Sequence, residues 1–264
     1  MNPWPEISVV APLHNEAGNV QTLVRKILGA FSPSAHTIEV ILVDDASTED
    51  TWREVLRAQE ANPQVHGIRH VKNLGQSAAL FSGFRASRGR VIATLDGDLQ
   101  NDPADLPRMV AELAHSDMVC GVRTARADGR LRRLSSGVAR WARKLALRVD
   151  FADTGCNLRV FKKGVLDALP AFRGAHRFLP ILAHSAGAVV REIPVVHHPR
   201  VAGRSKYGVW NRLGCGILDL IMVALFIRRQ IPLDLQRLGR EGVYQANQPR
   251  TAGLAAMSER GREA

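Results

Sequence analysis

The stretch ISVVAPLHNE, Ile7 to Glu16, is a largely apolar run of seven residues, Ile7 to Leu13, closed abruptly by three polar side chains. An apolar run of this length ending in a polar loop reads as a strand buried on both faces. The pattern recurs along the chain. Ile38 to Val43 closes on Asp44-Asp45-Ala46-Ser47, Gly67 to Val71 forms a third run, and Arg90 to Leu95 a fourth that ends in Asp96-Gly97-Asp98. Between them, Ala17 to Ala30, Asp50 to Ala61, Gln76 to Ser87 and Pro103 to His115 place apolar residues three and four apart behind polar starts, the spacing of amphipathic helices. Strand alternating with helix predicts an α/β fold: a mainly parallel sheet with helices on both faces. Ligands of such sheets sit beyond the carboxyl ends of the strands, so His14 to Glu16, Asp44 to Ser47 and Asp96 to Gln100 are expected to converge on one site.

Beyond Met118 to Val122, another short strand, the pattern predicts a basic helix, a Thr154-Gly155-Cys156 loop, a helix near Gly164 to Leu169 and a strand at Val189 to Val196. This half reads as a decoration on the first, giving one domain over residues 1–208. With 264 residues, 45% of them hydrophobic and 23% charged, the chain can bury one large core, which excludes disorder and collagen-like repeats. Cys120, Cys156 and Cys215 are widely spaced and odd in number, so neither a disulfide framework nor a thiol metal site is expected. No basic segment followed by a long apolar run opens the chain, and a cytoplasmic location is the expectation.

The formal net charge is +11, and its distribution is uneven: Val122 to Asp150 holds nine basic residues against Asp128 and Asp150. Such a cationic face suits phosphates. Leu213 to Ile227 is the one long apolar run, interrupted by Asp219 and flanked by Arg212, Arg228 and Arg229. Its fifteen residues would reach roughly 22 Å as a helix, short of the ~30 Å hydrocarbon core. An interfacial helix over 209–230, lying on the membrane with arginines at the headgroups, fits better than a single span; a core helix is the plainer alternative. The polar segment 231–264 reads as a disordered tail.

Asp96 and Asp98, one residue apart at a strand end, are costly together unless a cation neutralises them. Hard oxygen ligands select Mg²⁺ or Mn²⁺, and Gln100 offers an amide oxygen as a third ligand. The loop Arg200 to Gly208 surrounds Ser205 with Arg200, Arg204 and Lys206, and Gly203 frees its backbone, a composition suited to a mobile phosphate clamp.

The order PLHNE, VDDAS, TLDGDLQNDP resembles family 2 glycosyltransferases with a GT-A fold, which are inverting enzymes with nucleotide-sugar donors. GVR at Gly121 to Arg123, RRLSSG at Arg132 to Gly137, DTGCNLRVFKK at Asp153 to Lys163, HRFLP at His176 to Pro180 and RVAGRSKYG at Arg200 to Gly208 are similar to the polyprenyl-phosphate branch that contains dolichyl-phosphate mannose synthase. The resemblance implies that Pro12, Asn15 and Glu16 line the nucleoside pocket, that Asp44 binds base or ribose with Asp45 beside it, and that Asp96, Asp98 and Gln100 hold the metal, the first acid also facing the donor. It implies that Arg200 and Lys206 close over the diphosphate, and that Arg123, Ser135 and either Arg132 or Arg133 take the acceptor phosphate. Its partners would be a UDP- or GDP-hexose, a polyprenyl phosphate and the cytoplasmic face of a membrane, with a separate membrane protein as a further possible partner. His14 departs from the family's usual aromatic, and His176, His184, His197 and His198 are assigned no catalytic role.

Two other functions share some of these features. A family 2 enzyme with a hydroxyl acceptor would keep every donor residue but needs a carboxylate base; the Glu-Asp and Gln-x-x-Arg-Trp motifs of such enzymes are missing after Asp98. A nucleic-acid binder would explain the basic segment, yet Trp141 is the only aromatic among those bases, and no nucleic-acid partner is expected.

Overall fold

Because Ile7–Leu13 is apolar on both faces, it can be covered from both sides, and it is buried at six of its seven positions as the first strand, β1. The computed structural model describes residues 4–32, 34, 36–123, 149–198, 209–229, 235–238 and 243–246, with the backbone alone at 209–217 and in the last two segments. After β1 come α1 (Val20–Phe31), β2 (Ile38–Asp44), α2 (Thr51–Ala61), β3 (Val65–Arg69), α3 (Gln76–Ala86), β4 (Val91–Thr94), α4 (Leu106–Ala111) and β5 (Met118–Arg123). Then follow β6 (Arg159–Lys162), α5 (Leu179–Ser185), β7 (Val190–Val195) and α6 (Val209–Arg229). Strands β8 (Leu235–Leu238) and β9 (Val243–Ala246) pair antiparallel in a separate unit, Arg229–Ala264, inside the segment read from sequence as a disordered tail.

Seven strands form one mixed sheet in the order β3-β2-β1-β4-β6-β5-β7. The first four are parallel, as the alternating pattern predicts. Strand β6, which the sequence reading leaves unassigned, enters antiparallel between β4 and β5, and β7 runs parallel to β5. The second half thus extends the same sheet. Two apolar layers cover it. Leu23, Ile27, Val55 and Leu106 pack on one face; Leu80, Phe84, Leu179 and Leu182 pack on the other.

Local details depart from the periodic reading where turn chemistry intervenes. The expected helix Pro103 to His115 is an α-turn and a half between two 3₁₀ turns, with Pro103 and Pro107 restricting its start. The expected helix near Gly164 is a 3₁₀ turn, Lys163–Ala168. Helix α6 begins four residues before the apolar run and is 21 residues long, yet no helix among the described residues is long and apolar enough to cross a membrane. Its Leu220, Val223, Ala224 and Ile227 pack on the second layer, while Leu218, Ile221, Met222, Leu225 and Phe226, spaced three and four apart, remain 41% to 60% exposed.

Candidate active site

Three strands of the parallel half end in strained loops. Asn15 after β1, Ala46 after β2 and Leu99 after β4 all hold left-handed backbone, with φ of 57°, 53° and 59°. Asparagine tolerates this conformation; alanine and leucine are held in it by their surroundings. The loops are cross-tied. Asn15 N donates to Ser47 Oγ at 2.8 Å, Glu16 N to Thr51 Oγ1 at 3.0 Å, and Thr48 N to Asn15 Oδ1 at 2.8 Å. At Gly97 a Cβ would meet Leu13 Cδ2 and approach Pro12 O, so the Asp96–Asp98 turn lies close against the end of β1 beside half-buried Pro12.

The two aspartates that close β2 have different surroundings. Asp45 is fully engaged by the protein: its carboxylate accepts from Leu74 N at 2.9 Å and Gly75 N at 2.7 Å and meets His70 Nδ1 at 2.7 Å. It clasps the 70–75 segment that leads into α3, where Gly75 takes φ of 90°. Asp44 is completely buried, and its Oδ1 accepts from Ser47 N and Ser47 Oγ. Its Oδ2 makes no hydrogen bond. That oxygen has only a charge contact, 3.4 Å from Nε of half-exposed Arg69. His14 Nδ1 donates to Asp45 O at 2.9 Å, which leaves Nε2 to accept from Asn73 at 3.3 Å.

Asp96 is held from both sides by amides. Gln76 Nε2 donates to Oδ1 at 2.7 Å, and Asn157 Nδ2 reaches both oxygens at 3.0 and 3.2 Å. Burial, with the Asp98 charge added, pushes the Asp96 carboxyl up to about 6. Asp98 is 7% exposed and accepts from Gln100 N at 3.2 Å. Gln100 and Asn101 are bound to the segment after β7: His198 N donates to Gln100 O at 2.8 Å, Gln100 Nε2 leans on His198 O at 3.4 Å, and Asn101 bridges His197. Residues 199–208, with Arg200 and Lys206, lie outside the described residues. Among the described residues no three His, Cys, Asp or Glu side chains gather as a metal site. Two adjacent carboxylates whose charges oppose each other nevertheless fit a hard divalent cation, provided that phosphate, water and the Gln100 amide complete its shell.

The β5–β6–β7 half presents guanidinium groups. Arg123 forms a two-pronged ion pair with buried Asp153, Nε to Oδ2 at 2.7 Å and Nη2 to Oδ1 at 2.9 Å. Arg159, 1% exposed, donates to His176 O at 2.6 Å and Thr154 O at 2.9 Å. Burial, reinforced by the charges of Arg177 and Arg159, pushes His176 down to about 3, too weak a base to take a proton at neutral pH. Arg132, Arg133 and Ser135 fall in 124–148, outside the described residues.

Residues 8–166 match the family model of glycosyl transferase family 2. The chain belongs to that family. It is 39% identical over 233 residues to a dodecaprenyl-phosphate galacturonate synthase of Rhizobium johnstonii, covering 84% of this chain and 68% of the relative. It is 38% identical over 226 residues to an undecaprenyl-phosphate 4-deoxy-4-formamido-L-arabinose transferase of Pseudomonas fluorescens, covering 84% and 66%. These relatives are polyprenyl-phosphate glycosyltransferases, and the chain spans about two thirds of their length. The GT-A fold is that of a mannosyltransferase from Pyrobaculum calidifontis solved with GDP-Man and Mn²⁺, at a TM-score of 0.63, 23% identity, 88% of this chain and 66% of that one. It is also that of glucosyl-3-phosphoglycerate synthase from Mycobacterium tuberculosis solved with Mn²⁺, UDP and phosphoglyceric acid, at 0.62, 18% identity, 92% and 86%.

In this family 2 glycosyltransferase the structure brings Pro12, Asn15, Glu16, Asp44, Asp45, Asp96, Asp98 and Gln100 to one end of the sheet, as the strand-end argument predicts. Sequence reasoning gave no individual role to the residues that hold these side chains: Ser47 on Asp44, Gln76 and Asn157 on Asp96, Asp153 on Arg123, and Arg159. A signal existed for the last. A charged residue inside the run Leu158 to Phe161 marks a buried polar group, which is rarer and more informative than an apolar one.

Proposed function

We propose that the protein transfers a hexose from a UDP- or GDP-hexose to a polyprenyl phosphate, with inversion, while resting peripherally on a membrane surface. The observation that carries this reading is α6: a stripe of five exposed large apolar side chains, Leu218 to Phe226, on the helix face opposite the core and followed by exposed Arg228 and Arg229. That combination suits a helix lying in the lipid headgroup layer. The named acceptors of the curated relatives, dodecaprenyl and undecaprenyl phosphate, are membrane lipids of the same class.

On the donor side, buried Asp44 keeps Oδ2 available for an N–H or O–H of the nucleoside, since an orphaned buried oxygen is costly until a donor meets it. Asp96, Asp98 and Gln100 would hold Mg²⁺ or Mn²⁺, which when bound supplies positive charge to the departing diphosphate. Arg200 and Lys206 would draw over the same diphosphate. The acceptor is held by Arg123, Arg132 or Arg133, and Ser135. Its phosphate oxygen attacks the anomeric carbon as the bond to the diphosphate breaks on the opposite face. A phosphate monoester has a second pKa near 6 and is already ionised, so the enzyme needs cations to hold it and no general base to activate it. Asp45, committed to the 70–75 segment, serves the pocket as its framework.

The test is transfer by purified protein with Mg²⁺ or Mn²⁺ and a panel of UDP- and GDP-sugars that includes galacturonate and pentose donors, offered undecaprenyl phosphate or undecaprenol. Glycosylation of the phosphate and neglect of the alcohol is expected, and replacing Arg132 and Arg133 together by Ala should raise the lipid-phosphate KM while sparing donor binding. Equal transfer to the alcohol would favour the hydroxyl-acceptor enzyme instead.

A further inference from the structure

Arg159 opens β6 in register with Thr94 of β4 on one side and Cys120 of β5 on the other, between the strands that lead to Asp96 and Arg123. It is the largest fully buried side chain among the described residues, and it makes no ion pair there. Two residues along the strand, on the same face, Phe161 fills the apolar layer without cost. A cation at this position loses its hydration with no carboxylate in contact to replace it, and burial lowers its pKa. What the guanidinium does hold is two main-chain carbonyls from separate loops, Thr154 O and His176 O, while its Nε makes no hydrogen bond.

Both loops reach the site. The 153–157 loop carries Asp153, which forks onto Arg123, and Asn157, which grips Asp96. The 174–178 loop is held at its inner edge by Ser77 of α3, whose Oγ accepts from Gly174 N at 3.1 Å and His176 N at 3.4 Å and meets His176 Nδ1 at 2.7 Å. Gln76, the neighbour of Ser77, is the other amide on Asp96. At its outer edge the same loop meets α6: a Cβ on Gly174 would stand 2.5 Å from Asp219 Oδ2, and Arg177 lies 4.0 Å from that oxygen. The one acid of the apolar helix therefore packs on the loop that Arg159 ties down.

We propose that Arg159 is a positioning residue, which locks the 153–157 and 174–178 loops together so that Arg123 keeps its place relative to the donor turn at Asp96. It acts through those loops and touches no reactant itself. The inference rests on the preceding reading, in which the acceptor phosphate meets Arg123.

Arg159→Met keeps the side-chain volume and removes both hydrogen bonds; Arg159→Lys keeps the charge but can reach one carbonyl only. In Arg159→Met, kcat/KM for undecaprenyl phosphate should fall about 10²-fold, the scale on which a small misplacement acts, while the Kd for nucleoside diphosphate with Mn²⁺, measured by calorimetry, stays near wild type. Arg159→Lys should recover part of the loss. Wild-type acceptor kinetics in folded Arg159→Met would overturn the inference, as would equal losses in donor and acceptor parameters that simply follow the folded fraction in both variants. If Arg159→Met does not fold, Ser77→Ala decides, loosening the same loop from its other edge: a raised acceptor KM with unchanged nucleotide Kd supports the tie, and unchanged acceptor kinetics refutes it. Failure of the wild-type protein itself on undecaprenyl phosphate would bring down the functional reading and this inference with it, whereas wild-type transfer beside an unaffected Arg159→Met brings down the inference alone.

Discussion

The parallel half of the sheet, β1 to β4, and the mixed half, β5 to β7, meet at the same end but carry opposite charge. The first closes on Asp44, Asp45, Asp96 and Asp98; the second presents Arg123 and Arg159. The partners differ as well as the sign. Asp44 keeps an oxygen without a hydrogen bond, and Asp96 sits beside Asp98 with its carboxyl pushed up to about 6, so the donor side is short of positive partners. The arginines of the mixed half are already engaged, Arg123 by a carboxylate and Arg159 by two carbonyls. One half is built to receive cations and N–H or O–H donors, and the other holds its cations in fixed positions through its own carboxylate and carbonyls. Arg123, forked onto Asp153 through Nε and Nη2, is thereby oriented for the incoming phosphate that the proposed function assigns to it.

Four measurements would break or sharpen this contrast. The largest effect belongs to Asp98→Ala, which should lower kcat by about 10³-fold, the scale of a lost electrostatic contact to the transition state, with the circular dichroism spectrum intact. Full activity in the presence of a chelator would remove the metal from the donor half. Next, Asp153→Ala strips Arg123 of its buried counterion and should cost about 3 kcal/mol in denaturant unfolding; an unchanged midpoint would mean that Arg123 is held by something else.

The third measurement uses pH. The folded Asp96 carboxyl, at about 6 against an ordinary 3.8, binds its proton more tightly than in the unfolded chain. Its contribution favours the fold fully below pH 4 and is lost as pH rises through 6, up to about 3 kcal/mol. Metal-free wild type should therefore gain stability relative to Asp96→Asn on going from pH 7 to pH 5, and parallel pH profiles for the two proteins would contradict that environment. The smallest effect is Asp44→Ala, expected to raise the donor KM about tenfold, or ~1.4 kcal/mol, with kcat unchanged, because a nucleoside contact is made equally in ground and transition states. A fall in kcat at constant KM would place Asp44 at the reacting centre.

The strand-and-helix order of the first hundred residues, the convergence of three polar strand ends and the apolar run inside α6 were legible in the chain, because each depends on periodicity or on residues adjacent in sequence. So were Asp44, Asp96 and Asp98 as candidates, since carboxylates at the ends of buried strands have few structural excuses. The roles within pairs were not legible. Asp44 and Asp45 are neighbours of identical chemistry, and only the approach of Leu74 and Gly75, thirty residues away, makes one a clasp and leaves the other with an unbonded oxygen. Gln76 and Asn157 converge on Asp96 from 20 and 61 residues away. The antiparallel entry of β6 likewise follows from edge pairing with β4 and β5, to which its four-residue run gives no local clue. Short-range pattern specifies which segments are buried and where they end. Which polar groups are satisfied depends on contacts across the sheet, because a hydrogen bond is settled by distances of a few tenths of an ångström that sequence spacing does not encode.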